Sequence, residues 1–175
     1  MKRKCSWCGK ELEDIPRGEA DPTLISHGVC EDCAFHLLAQ CGITLRDYLN
    51  KIEAPVFVID QDNRIIASNE RASGLFEKDH ADMDNVLCGE VFECEHARLA
   101  NGCGKTVHCS GCTVRLCIKK TIETGECCDG VPAFLDCSRE DTNKVHFLIS
   151  TQKFGDAVLL KLEDVSYMNL IIADS

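Results

Sequence analysis

Pro55-Val56-Phe57-Val58-Ile59-Asp60-Gln61-Asp62-Asn63-Arg64-Ile65-Ile66-Ala67-Ser68-Asn69 sets two apolar runs on either side of turn chemistry. The run Val56 to Ile59, the polar tetrad 60–63 and the second run Ile65 to Ala67 read together as a β-hairpin. Just upstream, Thr44-Leu45-Arg46-Asp47 offers an N-cap residue and an acid in the first turn, and Leu45, Leu49 and Ile52 follow at helical spacing. That short amphipathic helix ends before Pro55. Downstream, 69–76 has helical character, and the stretch Thr113 to Thr124 puts Val114, Cys117, Ile118, Thr121 and Ile122 on one face, with Gly125 placed to end the helix. Strand-like segments come last, near 131–135, 144–151 and 157–163. Two strands, a group of helices and three strands predict an α+β domain, with helices gathered to one side of a five-stranded antiparallel sheet.

That order resembles the PAS fold. The resemblance is carried by the opening stretch 55–69 and by Leu159-Leu160-Lys161-Leu162-Glu163-Asp164-Val165-Ser166. It implies a sensory or protein-interaction domain with a cavity between sheet and helices. PAS domains take haem, flavin, small metabolites or no ligand. In many members the closing Asp-Val-Ser leads into an output enzyme, whereas here only 167–175 follows, which implies action in trans on a protein partner or on a second copy of the chain. The expected organisation is a four-cysteine zinc module over 1–42, a linker helix over 43–54, a PAS-like domain over 55–166 and a tail over 167–175.

The N-terminal module is read from its thiols. Cys5/Cys8 and Cys30/Cys33 are two Cys-x-x-Cys pairs with 21 residues between them. Each pair can make a tight turn that points both sulfurs at one ion, and four thiolates fill tetrahedral Zn²⁺ with no position left for a reacting water. The polar segment between them, with Pro16, Gly18 and Pro22, has little to bury by itself, so ligation would supply its stability. His27 precedes Cys30 by three and is expected beside the site rather than in it. The module resembles small zinc-ribbon-like units of bacterial signalling proteins through Cys5-Ser6-Trp7-Cys8 and Ser26-His27-Gly28-Val29-Cys30-Glu31-Asp32-Cys33.

A second group is spaced C-x8-C-x5-C-x2-C: Cys94, Cys103, Cys109 and Cys112, with Gly102, Gly104 and Gly111 among them. Flexible backbone beside the thiols permits the chain to wrap one centre. A subset of bacterial PAS domains has a similar Gly-Glu, single Cys, Gly-Cys-Gly, Cys-x-x-Cys series. Three readings stand: a four-thiolate site for zinc or an iron–sulfur cluster, a thiol switch in which Cys109 and Cys112 form a disulfide, and inert packing. In the switch reading the dipole of the helix that starts at Cys112 would lower its thiol pKa. His96 and His108 flank the group as surface or hydrogen-bonding residues. Cys117 is expected in the core. Cys41, Cys88, Cys127, Cys128 and Cys137 have no ligand-like spacing.

Composition narrows the class. Fourteen cysteines in 175 residues, no apolar leader after Met1-Lys2-Arg3-Lys4 and no run of 18 apolar residues point to the cytoplasm, where clustered thiols are metal ligands, redox groups or core residues. The net charge of −10 disfavours nucleic acid as a partner, and residues 1–50 carry six basic against eight acidic side chains. Gly104-Lys105-Thr106 fails as a phosphate loop because position 99 is Leu99. With no nucleophile elbow or zinc-protease helix, the expectation is a sensor or regulator and not an enzyme, the alternative being a small metal-binding or iron–sulfur electron carrier.

Overall fold

The computed structural model describes residues 2–12, 25–99, 102–136 and 145–164, which fall into two units, Met1–Thr44 and Leu45–Ser175. In the first, β1 (Lys2–Cys5) pairs antiparallel with β2 (Glu11–Leu12) and parallel with β3 (Ile25–Gly28), and helix α1 (Glu31–Gln40) follows. The register sets Cys5 opposite Gly28. This three-stranded sheet and α1 go beyond the expectation of two turns held by an ion alone.

The second unit opens with α2 (Leu45–Leu49), β4 (Val56–Ile59) and β5 (Ile65–Ser68), continues through α3 (Glu70–Phe76), α4 (His80–Met83), α5 (Cys88–Val91) and α6 (Thr113–Thr124), and closes with β6 (Cys128–Leu135), β7 (Val145–Phe154) and β8 (Ala157–Asp164). The five strands form one sheet in the order β5-β4-β8-β7-β6, with every pairing antiparallel. The last strand, β8, thus lies at the centre of the sheet, between β4, the first, and β7. This is a PAS-like fold, as the sequence predicts. The helix expected over 43–54 is confined to Leu45–Leu49 and belongs to this unit. The tail 167–175 lies outside the described residues.

All four residues of β4 are buried, and alternation sends them to two sides. Phe57 and Ile59 join Ile118, Ile149, Leu160 and Leu162 beneath the helices, while Val56 and Val58 meet Leu49 of α2 and Ala157 on the other face. Phe57 packs edge-on against Phe76 and Phe92, with ring centroids 5.8 and 5.2 Å away. Helix α6 begins and ends where its apolar spacing predicts, and Gly125 closes it at φ 76°, a conformation that favours glycine. On its inner face, the Thr121 and Thr151 hydroxyls meet at 2.7 Å and tie α6 to β7. Among the described residues, no helix is long and apolar enough to cross a membrane.

Asn69 joins the hairpin to the helices. Fully buried, it caps α3 by accepting from the Ala72 N–H at 3.0 Å, accepts from the Val56 N–H at 3.1 Å, and donates to the Ala54 carbonyl at 2.8 Å and more weakly to those of Leu49 and Ile52. Alanine there would leave several buried backbone groups unpaired. Asn69→Ala is expected to lower stability by about 3 kcal/mol, read as a reduced urea midpoint with an unchanged slope; a midpoint equal to wild type would contradict this account of the junction.

Candidate metal centre and thiol cavity

In the first unit, β1 delivers Cys5, the turn after it delivers Cys8, and Cys30 and Cys33 come from the N-cap and first turn of α1. The turn is closed by hydrogen bonds from the Cys5 N–H to the Lys10 carbonyl (2.8 Å) and from the Gly9 N–H to the Cys5 carbonyl (2.9 Å). All four sulfurs lie within 4.8 Å of one another, so this group could hold a metal ion. Cys8 and Cys30 Sγ are 3.6 Å apart, close to the ~3.8 Å that tetrahedral bonds of about 2.3 Å impose. The Cys30 and Trp7 N–H groups point at Cys5 Sγ, both at 3.4 Å. Such donors, led by that of Cys30, lower the Cys5 thiol to about 6. Cys33, which hydrogen-bonds to Cys30 and is desolvated, is pushed up to about 12. One site thus contains a ready thiolate and a retained proton, which an incoming cation would displace. His27's side chain lies outside the described residues.

The second group is organised differently. Cys94, Cys103, Cys109 and Cys112 all line one cavity of about 200 Å³, bounded by α5, the 3-10 turns Glu95–Arg98 and Val107–Gly111, the start of α6 and the end of β6. A fifth thiol joins them. Cys88, from α5, lines the same cavity and hydrogen-bonds to Cys103. Its buried thiol is driven well up, first by this bond and then by desolvation, whereas the same bond first of all holds Cys103 down at about 6, helped by the Gly89 N–H and the Arg115 guanidinium. Cys88 has no ligand-like spacing in sequence, although Cys88-Gly89 carries the same pairing of thiol and glycine as Gly102-Cys103-Gly104.

Gly89 is what admits Cys103. A Cβ on Gly89 would lie 2.5 Å from Cys103 Sγ and 3.1 Å from its Cβ, distances at which something must shift. Around Cys109, burial raises the thiol, but hydrogen bonds outweigh it: the Thr106 hydroxyl and the Gly104 N–H each stand 3.2 Å from its sulfur, and the thiol is lowered. Cys112 corrects an expectation. It caps α6 and receives the Arg115 and Val114 N–H groups, yet burial dominates and the nearby Cys103 and Cys109 add repulsion, so its pKa is raised, not lowered. Burial likewise raises Cys94. Arg115 reaches the Gly104 carbonyl, binding the glycine loop to α6.

The two histidines close one side of the cavity. Their rings stack with centroids 4.0 Å apart, and His96 Nε2 stands 3.0 Å from Asp136 Oδ2. Cys117 lies in the core as expected; desolvation and a hydrogen bond to Cys128 push it up to about 12. Cys41 and Cys127 are exposed, and Cys137 lies outside the described residues.

The chain is similar in fold to solved PAS and sensory domains. Over 74% of this chain and 96% of that one, it matches a domain of a sensory box sensor histidine kinase/response regulator from Geobacter sulfurreducens at 11% identity and a TM-score of 0.48. The PAS domain of nitrogen regulation protein NR(II) from Vibrio parahaemolyticus aligns with 69% of this chain and 98% of its own, at 12% identity and 0.46. The DhaR(N)–DhaL complex of E. coli includes a chain aligned over 75% of this one and 37% of its own length, at 12% identity and 0.45. No family profile and no curated protein sequence matches the chain. At these identities the likeness concerns fold alone, and the PAS-like description stands on the strand order.

The close approach at Gly89 is testable without metal. In Gly89→Ala the added methyl should displace Cys103, costing about 1–3 kcal/mol of stability and raising the alkylation rate of Cys103 in the folded protein. An unchanged rate and stability would show that the contact does not hold Cys103 in place.

Proposed function

We propose that the chain is a cytoplasmic sensor or regulator, not an enzyme, that acts on a protein partner or a second copy of itself, with the thiol cavity as its responsive centre and a structural zinc ion in the Cys5, Cys8, Cys30 and Cys33 group. The observation that carries this is the attachment of the cavity. Its walls are α5, the start of α6 and the end of β6, and α6 places Val114 and Ile118 in the same buried cluster as Phe147, Ile149 and Leu160 of the sheet. A change of charge or occupancy at the thiols would therefore move a helix packed on the sheet, the kind of local event that shifts a two-state element. Apolar side chains near the cavity, Val107, Phe134 and Leu116, are each more than half exposed, which suits contact with another protein.

The test is hydrogen exchange on the full chain, reduced and then treated with peroxide. Protection over 113–124 and 128–135 is expected to fall on oxidation in wild type and to stay constant in the Cys109→Ser/Cys112→Ser double variant. Identical exchange of reduced and oxidised wild type, with oxidation of the cavity thiols verified by mass, would contradict a responsive role.

A further inference from the structure

The two thiol groups differ in one measurable respect. In the first unit four sulfurs crowd within 4.8 Å of one another, and no other three Cys, His, Asp or Glu side chains among the described residues meet that limit. No three of the cavity thiols meet that limit, and they line a space of about 200 Å³. A single ion draws its thiolates together, because every sulfur bonds the same centre at about 2.3 Å. A polynuclear cluster does the opposite: each thiolate bonds a different iron atom, and sulfide fills the volume between them.

The surroundings of the sulfurs fit that second chemistry. Thiolates on a cluster are stabilised and tuned by hydrogen bonds and nearby charge. Here the Gly104 N–H and the Thr106 hydroxyl serve Cys109 at 3.2 Å. Backbone N–H groups of residues 96 and 97 serve Cys94, those of 114 and 115 serve Cys112, and that of Gly89 serves Cys103. Arg115 supplies a cation beside Cys103. Cys88 is the odd member, being buried in α5.

We propose that the cavity takes an iron–sulfur cluster of the [4Fe–4S] type on four of its five thiols, Cys94, Cys103, Cys109 and Cys112, with Cys88, buried in α5, outside the ligand set. Each ligand thiol releases its proton to solvent as its Fe–S bond forms. This deepens the reading of the cavity as the responsive centre and names its occupant. The two are separable: iron content reports the occupant whether or not the cluster regulates anything, and hydrogen exchange reports the response whatever the occupant.

The test is anaerobic reconstitution of the full chain with ferric and ferrous iron in equal amounts, sulfide and thiol, followed by desalting, analysis of iron, acid-labile sulfide and zinc, and visible spectra before and after dithionite. Wild type is expected to hold iron and sulfide in about equal amounts, with a broad visible band that bleaches on reduction. Cys109→Ala/Cys112→Ala and, separately, Cys94→Ala should lose iron while keeping wild-type zinc and far-UV circular dichroism. Cys88→Ala should keep the iron, because no ligand is removed. Folded wild type that takes a second zinc and no iron would overturn the proposal. So would loss of iron in Cys88→Ala as complete as in the double variant.

Discussion

Strand β4 is the constraint on which the second unit depends. Four residues, Val56 to Ile59, are paired on one side with β5 and on the other with β8, and are buried on both faces. A strand in that position leaves no backbone polar group for water and tolerates no change of register, since a slip of one residue would exchange Phe57 and Ile59 for Val56 and Val58 on the helix side. Because β4, first in sequence, pairs with β5 on one side only, the last strand returns to the centre of the sheet beside it. That return brings β7 and β6 into line and creates the edge against which α6 and the thiol loops lie. Asn69 then fixes how the chain leaves the hairpin.

The thiol cavity is a consequence of that edge. The end of β6 contributes Leu135 and Asp136, α6 contributes Cys112 and Arg115, and α5 contributes Cys88 and Gly89. Five thiols facing one small space cannot all ionise together, because like charges at short range in a partly dry site raise one another's pKa. The protein divides them: Cys103 and Cys109 are held down by hydrogen bonds, while Cys88, Cys94 and Cys112 are driven up by burial and mutual repulsion, with the Cys103 bond leading at Cys88. A cation or cluster that takes up the sulfur charge would relieve that repulsion.

Much of the fold was legible because its elements obey strong periodicities. The hairpin 56–68, α6 with its glycine stop and the three closing strands all show apolar residues at the spacing their geometry demands. Helices α4 and α5 were not legible, since four residues are too few to display a helical period. Helix α1 was hidden for another reason: the spacing of Cys30 and Cys33 suits a tight turn, and in the structure they are the cap and first turn of a helix. In the site, the four thiols with glycine neighbours declared themselves. Cys88 did not, because what joins it to the group is the approach of Cys103 over Gly89, a contact across 14 residues that no local spacing encodes. The raised pKa of Cys112 was hidden too, since a helix start is visible in sequence and the depth of its burial is not.

Two thiol centres of different kinds on one chain is the central claim, and X-ray absorption at the zinc and iron edges of anaerobically prepared protein tests it most directly. The account predicts zinc surrounded by four sulfurs at about 2.3 Å with no metal neighbour, and iron surrounded by sulfur with other iron atoms in the next shell. Zinc in both centres, or iron without an iron neighbour, would contradict it.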